Sequence, residues 1–341
     1  MLKREGLSVD GIPAEHCSCP GCGEKDQERY ARYRDFDCGV SGVWNLVRCK
    51  ACDLIYLNPR PKAEAFQLIY PSNYVPYQME LRPDTRWLMK VSIKQAYEGG
   101  KVRILKKIGL NEKARILDVG CGAGFFLSLL KRQAWEAVGV EPNRVLVERA
   151  HQLKLDVRCG TLSTATLEPA SFDAISLWHC LEHDPTPRET LTQCHRLLKE
   201  RGVVIAQVPD HDSWEAKRLG NYFWGNDIPR HLIFFTRSSL IRMAQERGFI
   251  VEMIQRTRNA TSWLWSLLRY VKWDLYQNME KNIGTISLLY GLIVPFYYAF
   301  SRGDWITAIL RKDDYAGSDH RREFHGQHHV PCRDEHPNPS Q

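Results

Sequence analysis

Four cysteines stand in two pairs, Cys19-Pro-Gly-Cys22 and Cys49-Lys-Ala-Cys52, with 26 residues between the pairs. Each C-x2-C knuckle can turn two thiolates toward one ion, and four thiolates complete the tetrahedral shell of a structural Zn2+. Pro20, Gly21 and Gly23 favour the turn that aims the sulfurs inward. Unligated reduced thiols, or iron in the same four-thiolate cage, are the alternatives left open by the spacing. Cys17 and Cys38 fall outside the pattern. With all four positions filled, the expected ion holds structure and performs no catalysis.

A second group is Asp118-Val-Gly120-Cys121-Gly122-Ala-Gly124, where an apolar run ends in a glycine-rich turn. Such a turn lets a ligand approach the backbone, because no Cβ stands in the way, and it exposes the amides of a following helix. Dinucleotide-binding turns look similar, but here Phe125 occupies the position where their fingerprint needs a third Gly or Ala. Asp118, just before the loop, suits a cationic amino group and would repel a pyrophosphate. Glu141 is placed to accept hydrogen bonds from ribose hydroxyls, a feature shared with dinucleotide enzymes.

A third group is His179, Glu182 and His183, with His231 in Pro229-Arg-His farther on. Imidazoles titrate near neutrality and can accept a proton from a substrate. A structural hydrogen bond is the competing role for each histidine. Glu182 either caps the neighbouring helix or bonds a substrate hydroxyl, and Cys180 reads as packing.

These residues need a scaffold. Arg115–Val119, Trp135–Val140, Asp156–Cys159, Phe172–Leu177 and Val203–Val208 read as five short strands, separated by helical periodicity over Phe125–Arg132, Asn143–Leu153 and Arg188–Leu198. Strands alternating with helices at this spacing imply a parallel, doubly wound sheet. Phe249–Ile254 and Trp305–Leu310 are the expected sixth and seventh strands. Ligands of such sheets bind at the carboxyl edge, where the loop and His179 fall.

Three runs together carry a resemblance: Ile116 through Gly124, Gly139-Val-Glu141-Pro142, and Phe172-Asp-Ala-Ile-Ser-Leu-Trp-His-Cys-Leu-Glu-His183. They resemble the successive motifs of class I S-adenosylmethionine (SAM)-dependent methyltransferases, over about residues 110–255. The run Asp227-Ile-Pro-Arg-His-Leu-Ile-Phe-Phe-Thr236 is similar to a segment of a subgroup associated with sugar, polysaccharide or other secondary metabolism. The knuckles resemble the N-terminal zinc-binding domain of some sugar C-methyltransferases.

The resemblance implies an α/β fold. It would be a doubly wound, seven-stranded, Rossmann-like methyltransferase sheet with a small N-terminal zinc-ribbon module and a helical insertion before the last strand. The expected units are a zinc-binding module at 14–60, a helical linker or cap at 61–112, a methyltransferase domain at 113–311 with the insertion at 261–300, and a disordered tail at 312–341. By the same resemblance Asp118 and Gly120, with Cys121, Gly122 and Gly124 of the loop, hold the methionine part of SAM. Glu141 and Pro142 meet the ribose, Thr161 and Leu162 flank the adenine, and Leu177, Trp178 and His179 lie beside the sulfonium. The acidic residue that many members place after the third strand is absent from Gly160-Thr-Leu-Ser-Thr164. Methyl transfer is an in-line displacement in which positioning supplies much of the rate, and a base is needed where the acceptor loses a proton. His179 or His183 is the expected base, with His231 in the cover of the acceptor pocket. The expected acceptor is a small metabolite, a sugar nucleotide or a polysaccharide- or lipid-linked precursor. A zinc-ribbon RNA methyltransferase and a non-catalytic SAM-binding protein are the alternatives.

Composition fits a soluble globular chain: 341 residues, 43% hydrophobic and 26% charged, net charge +7. The excess cations are dispersed in pairs such as Lys106-Lys107 and Lys131-Arg132, which reads as a solvated surface and not as a nucleic-acid grip. The first residues lack the pattern of a signal peptide and the 11 cysteines suit a reducing compartment, so the cytoplasm is the expected location. Ile283–Phe300 carries no charge but contains Gly284, Gly291, Pro295 and three tyrosines; a buried or interfacial helix is expected, with peripheral membrane contact left open. Core packing is expected for Trp263, Trp265 and Trp273. No function is assigned to His325, His328 and His329.

Overall fold

The computed structural model describes residues 7–70, 99–271 and 283–314. Residues 71–98 of the expected linker or cap, Trp273 and the tail from residue 315, with its three histidines, lie outside the described residues.

The central sheet has seven strands: β1 (Arg115–Val119), β2 (Glu136–Glu141), β3 (Val157–Cys159), β4 (Phe172–Trp178), β5 (Leu198–Pro209), β6 (Phe249–Thr257) and β7 (Trp305–Lys312). Their spatial order is β6-β7-β5-β4-β1-β2-β3. Strands in the middle are buried on both faces, which is why Ile116-Leu117 and Val203-Val-Ile-Ala206 read as unbroken apolar runs. The switch in strand order lies between β1 and β4, so the crevice outside their carboxyl ends is the ligand position of an open α/β sheet.

Six strands run parallel, and β7 runs against both neighbours. That corrects the expectation of an all-parallel sheet. Thr257 pairs with Trp305, so β6 and β7 form one long antiparallel hairpin whose loop is the helical insertion. An antiparallel return needs no crossover, so an insertion of any length can fill the turn. Gly303, at φ +93°, closes that turn where a Cβ would stand 3.0 Å from the Thr257 carbonyl oxygen.

Helices α1 (Phe125–Arg132), α2 (Arg144–Gln152), α3 (Pro187–Leu197), α4 (Trp214–Leu219) and α5 (Arg237–Gln245) begin on identifiable signals. Asn143 accepts the Val145 and Leu146 amides, α3 starts on Pro187, and Thr236 with Ser239 forms a reciprocal capping box. The insertion contains α6 (Ala260–Val271) and α7 (Ile283–Phe300). Leu264 and Leu268 of α6 are buried, as expected of a packed helix. Of the two expectations for this segment, a buried or an interfacial helix, burial is not met by α7: Leu288, Leu292 and Phe296 are 66%, 59% and 67% exposed, while Tyr297 is buried with its ring 5.7 Å from that of Trp263. Among the described residues no helix is long and apolar enough to cross a membrane.

Ahead of this sheet, Gln27–Tyr33, Trp44–Cys49 and Ile55–Leu57 form an antiparallel meander. Its fourth strand comes from far along the chain: Ile233–Phe234 pairs with Ile55 and Tyr56. Trp44, Leu46, Leu57, Ile228 and Phe234 share one apolar core. The cysteine-bearing segment is therefore built onto the segment around residues 227–236.

Candidate cofactor and acceptor site

The loop after β1 is held from two sides. Gly120, Gly122 and Gly124 take φ of +68°, +57° and +80°, the left-handed region that glycine enters without strain. A Cβ at Gly124 would sit 2.4 Å from Leu155 Cδ1, so this glycine also lets the start of α1 approach the segment that joins α2 to β3. Glu141 at the end of β2 accepts the Gly122 amide at Oε2 (3.0 Å) and the Asn143 amide at Oε1 (2.8 Å), tying the loop to the start of α2. Asp118 is buried and accepts Ser176 Oγ at 2.6 Å. A cradle bare of side chains, bordered by two buried carboxylates, fits an aminoacyl nucleoside such as SAM.

The other expected contact residues divide into backbone and side chain. Cys121 turns its sulfur under the loop, into a core with Leu127, Val147 and Val157. Leu162 and Leu177 are likewise core residues, so the side chains of all three are taken up by packing. Thr161 is exposed beside the end of β3, with its amide donating to Thr164 Oγ1 at 2.9 Å. Trp178 packs edge-on to Phe126 with Lys101 5.2 Å above its ring. Pro142 separates Glu141 from the Asn143 cap.

His179 follows β4 directly, with φ +54°, a sparsely populated conformation for a non-glycine residue and one that clusters at functional sites. Its Nε2 donates to Gln207 Oε1 (3.1 Å), and its Nδ1 lies 3.2 Å from Glu182 Oε1. Burial first, and Lys101 second, hold this imidazole well below the usual range, while burial pushes the Glu182 carboxyl up to about 7. Glu182 caps no helix; α3 starts at Pro187 behind Thr186. His183 and His231 meet edge to face, ring centroids 4.5 Å apart. His183 Nδ1 stands 3.2 Å from the Arg230 carbonyl oxygen and 3.0 Å from the Tyr70 hydroxyl. His231 Nδ1 donates to the Gly225 carbonyl oxygen at 2.8 Å. The three expected histidines thus fall in one cluster, because the Leu232 amide bonds the Glu182 carbonyl oxygen (2.7 Å) and pins the two segments together.

Cys19, Cys22, Cys49 and Cys52 converge, with all four sulfurs within 4.8 Å of one another and closest approaches of 3.5 Å for Cys19–Cys52 and Cys22–Cys49. Sulfurs around a zinc with bonds of about 2.3 Å stand roughly 3.8 Å apart, so the set is compatible with one tetrahedral ion. The knuckles repeat each other: each is followed by a left-handed residue, Gly23 or Asp53, whose amide bonds the first cysteine's carbonyl oxygen. A Cβ at Gly21 would stand 2.8 Å from Leu54 Cδ2 and 3.4 Å from Cys52 Sγ, so only glycine fits between the knuckles.

Residues 93–253 match the family model described as a methyltransferase domain. The chain is 37% identical over 112 residues to the ubiquinone biosynthesis O-methyltransferase of Xylella fastidiosa (strain M23), covering 31% of this chain and 45% of that protein. It is 26% identical over 176 residues to the ubiquinone biosynthesis O-methyltransferase of Cereibacter sphaeroides, covering 46% and 68%. The chain spans about half the length of the first curated relatives it matches. Similar solved structures include a putative sarcosine dimethylglycine methyltransferase from Galdieria sulphuraria, with a TM-score of 0.47 and 16% identity over 70% of this chain and 91% of that one.

Sequence reasoning missed what holds the seven-stranded sheet and its helices to the cysteine segment. Arg230 is buried, and it donates through Nη2 to Asp35 (2.8 Å), through Nε to Asp227 (2.7 Å) and through Nη1 to the Ile69 carbonyl oxygen (2.9 Å). Burial pushes the Asp227 carboxyl up, but Arg230 outweighs it and holds that group below the carboxylate range. Arg269 of α6 pairs with Asp37 in the same way. Asp35 to Arg230 spans almost 200 residues, and nothing in their local sequence marks them as partners. Gln207, on β5 beside His179, was also unmarked, being one polar residue inside an apolar strand.

Proposed function

We propose that this chain transfers a methyl group from SAM to a hydroxyl oxygen of a small molecule. The observation that carries the reading is the bare glycine cradle between two buried carboxylates at the carboxyl edge of the sheet. Asp118 would hold the cationic amino group of the methionine part, and the Glu141 carboxylate at the end of β2 would take the ribose hydroxyls. Thr161 and the main chain at Leu162 would border the adenine, with Leu177 and Trp178 on the sulfonium side. Bound SAM supplies a methyl group already activated on a positive sulfur. The residues of this chain then have to align the acceptor and deal with its proton, which falls to the cluster of His179, His183 and His231.

The oxygen acceptor is supported by the names of the curated relatives, which are O-methyltransferases. The sugar-nucleotide acceptor expected from the 227–236 segment finds no support among them. That segment has another role to explain its composition, since it supplies the fourth strand of the cysteine-bearing sheet. The four cysteines would hold structural zinc. Incubation with SAM and a panel of phenols, catechols and nucleotide sugars, followed by product analysis, tests the acceptor. A methyl ether is the expected product; a methyl group on carbon or nitrogen overturns the acceptor half of the proposal.

A further inference from the structure

We propose that Glu182, His183 and His231 form a second metal site, distinct from the four cysteines, that binds a divalent transition cation of the zinc class. One ligand atom from each of the three lies within 4.8 Å of the others. Small turns of these side chains close that set around an ion with bonds of about 2.0–2.2 Å.

Hydrogen bonding decides which atoms are offered. A carbonyl oxygen can only accept, so the contacts to Arg230 O and Gly225 O place the proton of each imidazole on Nδ1, with the Tyr70 hydroxyl oxygen, 3.0 Å from His183 Nδ1, as a second acceptor of that proton. For His231 the 2.8 Å bond to Gly225 outranks the 3.4 Å approach of the Asp227 amide. Nε2 is then the lone-pair nitrogen of both rings. An imidazole that donates Nδ1–H to a main-chain carbonyl while presenting Nε2 is the arrangement that orients metal-bound histidines. Glu182 adds an independent sign: its side chain is 1% exposed and Oε2 has no hydrogen-bond partner. A buried carboxylate oxygen left without a donor is costly, and a cation satisfies it.

Two imidazole nitrogens and one carboxylate oxygen leave open positions, unlike the closed four-thiolate shell. On the reading of the chain as an O-methyltransferase, an open position takes the acceptor's hydroxyl oxygen. Its O–H bond breaks and the proton passes to solvent, so that His183 and His231 deal with that proton as ligands of the ion and not as its acceptors; the oxygen's electron pair then forms the O–CH3 bond as the S–CH3 bond breaks, leaving an ether and a neutral thioether. A catechol or vicinal diol would fill two open positions.

The test is a metal titration of the full chain, stripped of metal and read with Co2+, which reports ligand type by its absorption. Wild type should bind two equivalents, one with intense thiolate-to-cobalt bands and one without. Glu182→Gln, His183→Asn and His231→Asn should each lose the second equivalent and keep the thiolate bands, which also show that the variant is folded. One equivalent in wild type, or two in all three variants, overturns the site. The titration needs neither SAM nor acceptor. Two equivalents without SAM binding would defeat the proposed function alone, and SAM binding with one equivalent would defeat this site alone.

Discussion

Gly124 shows how a single hydrogen-for-methyl change bears on the whole loop. Its φ of +80° and the 2.4 Å approach of a Cβ to Leu155 Cδ1 mean that alanine there is both strained and overpacked. Gly124→Ala should lower the unfolding free energy by about 1–3 kcal/mol, read by chemical denaturation. Unchanged stability would mean that α1 is not seated as described. Asp304 carries a pH signature. It accepts the Tyr297 hydroxyl at 2.9 Å, and burial pushes its carboxyl up to about 7. The unfolded chain ionises this group near its ordinary value, so the folded state binds more protons between about pH 4 and 7. Stability from this group is therefore full below that window and lost as pH rises through it. Asp304→Asn should gain on wild type from pH 5 to pH 8 in denaturation midpoint; parallel curves would contradict the assignment. The glycine loop was legible in the sequence, because glycine spacing and a preceding acid are local features. Asp304 was not, since the burial that raises its carboxyl comes from distant segments that the fold packs around it, against the bonds from Tyr297 and Asn259.

Elements explain why the cysteine segment and the histidine cluster cannot be treated apart. Ile233–Phe234 begins two residues after His231 and is the edge strand of the sheet that carries Cys49. Arg230, one residue before His231, is locked to Asp35 of the same segment. Removing one partner of a buried ion pair costs roughly 3–5 kcal/mol, so Asp35→Ala should destabilise the protein on that scale. Chelation of the zinc proposed for the four cysteines should raise amide exchange at Ile233 and Phe234 while β1, β4 and β5 stay protected. Equal protection with and without metal would show that the knuckles do not support the site. The knuckles themselves were plain from C-x2-C spacing. Their docking was not, because a two-residue strand has no period to detect and the Asp35–Arg230 pairing is long-range.

At the scale of the molecule, alternation of strands and helices was enough to place β1 to β5 and to put the loop and His179 at one sheet edge. Reversal of β7 escaped the pattern, since an apolar strand reads the same in either direction. The exposed face of α7 escaped it too: apolar composition over 283–300 marks a helix but does not say what covers it. The assembled picture makes one central claim, that the edge between β1 and β4 is a SAM site, and calorimetric titration with SAM tests it most directly. One equivalent should bind to the folded, metal-loaded chain. Asp118→Asn should weaken binding by roughly 10- to 150-fold, the equivalent of a charge-assisted bond worth about 1.5–3 kcal/mol. Absence of heat from folded, metal-loaded wild type, or undiminished affinity in Asp118→Asn, would contradict the account.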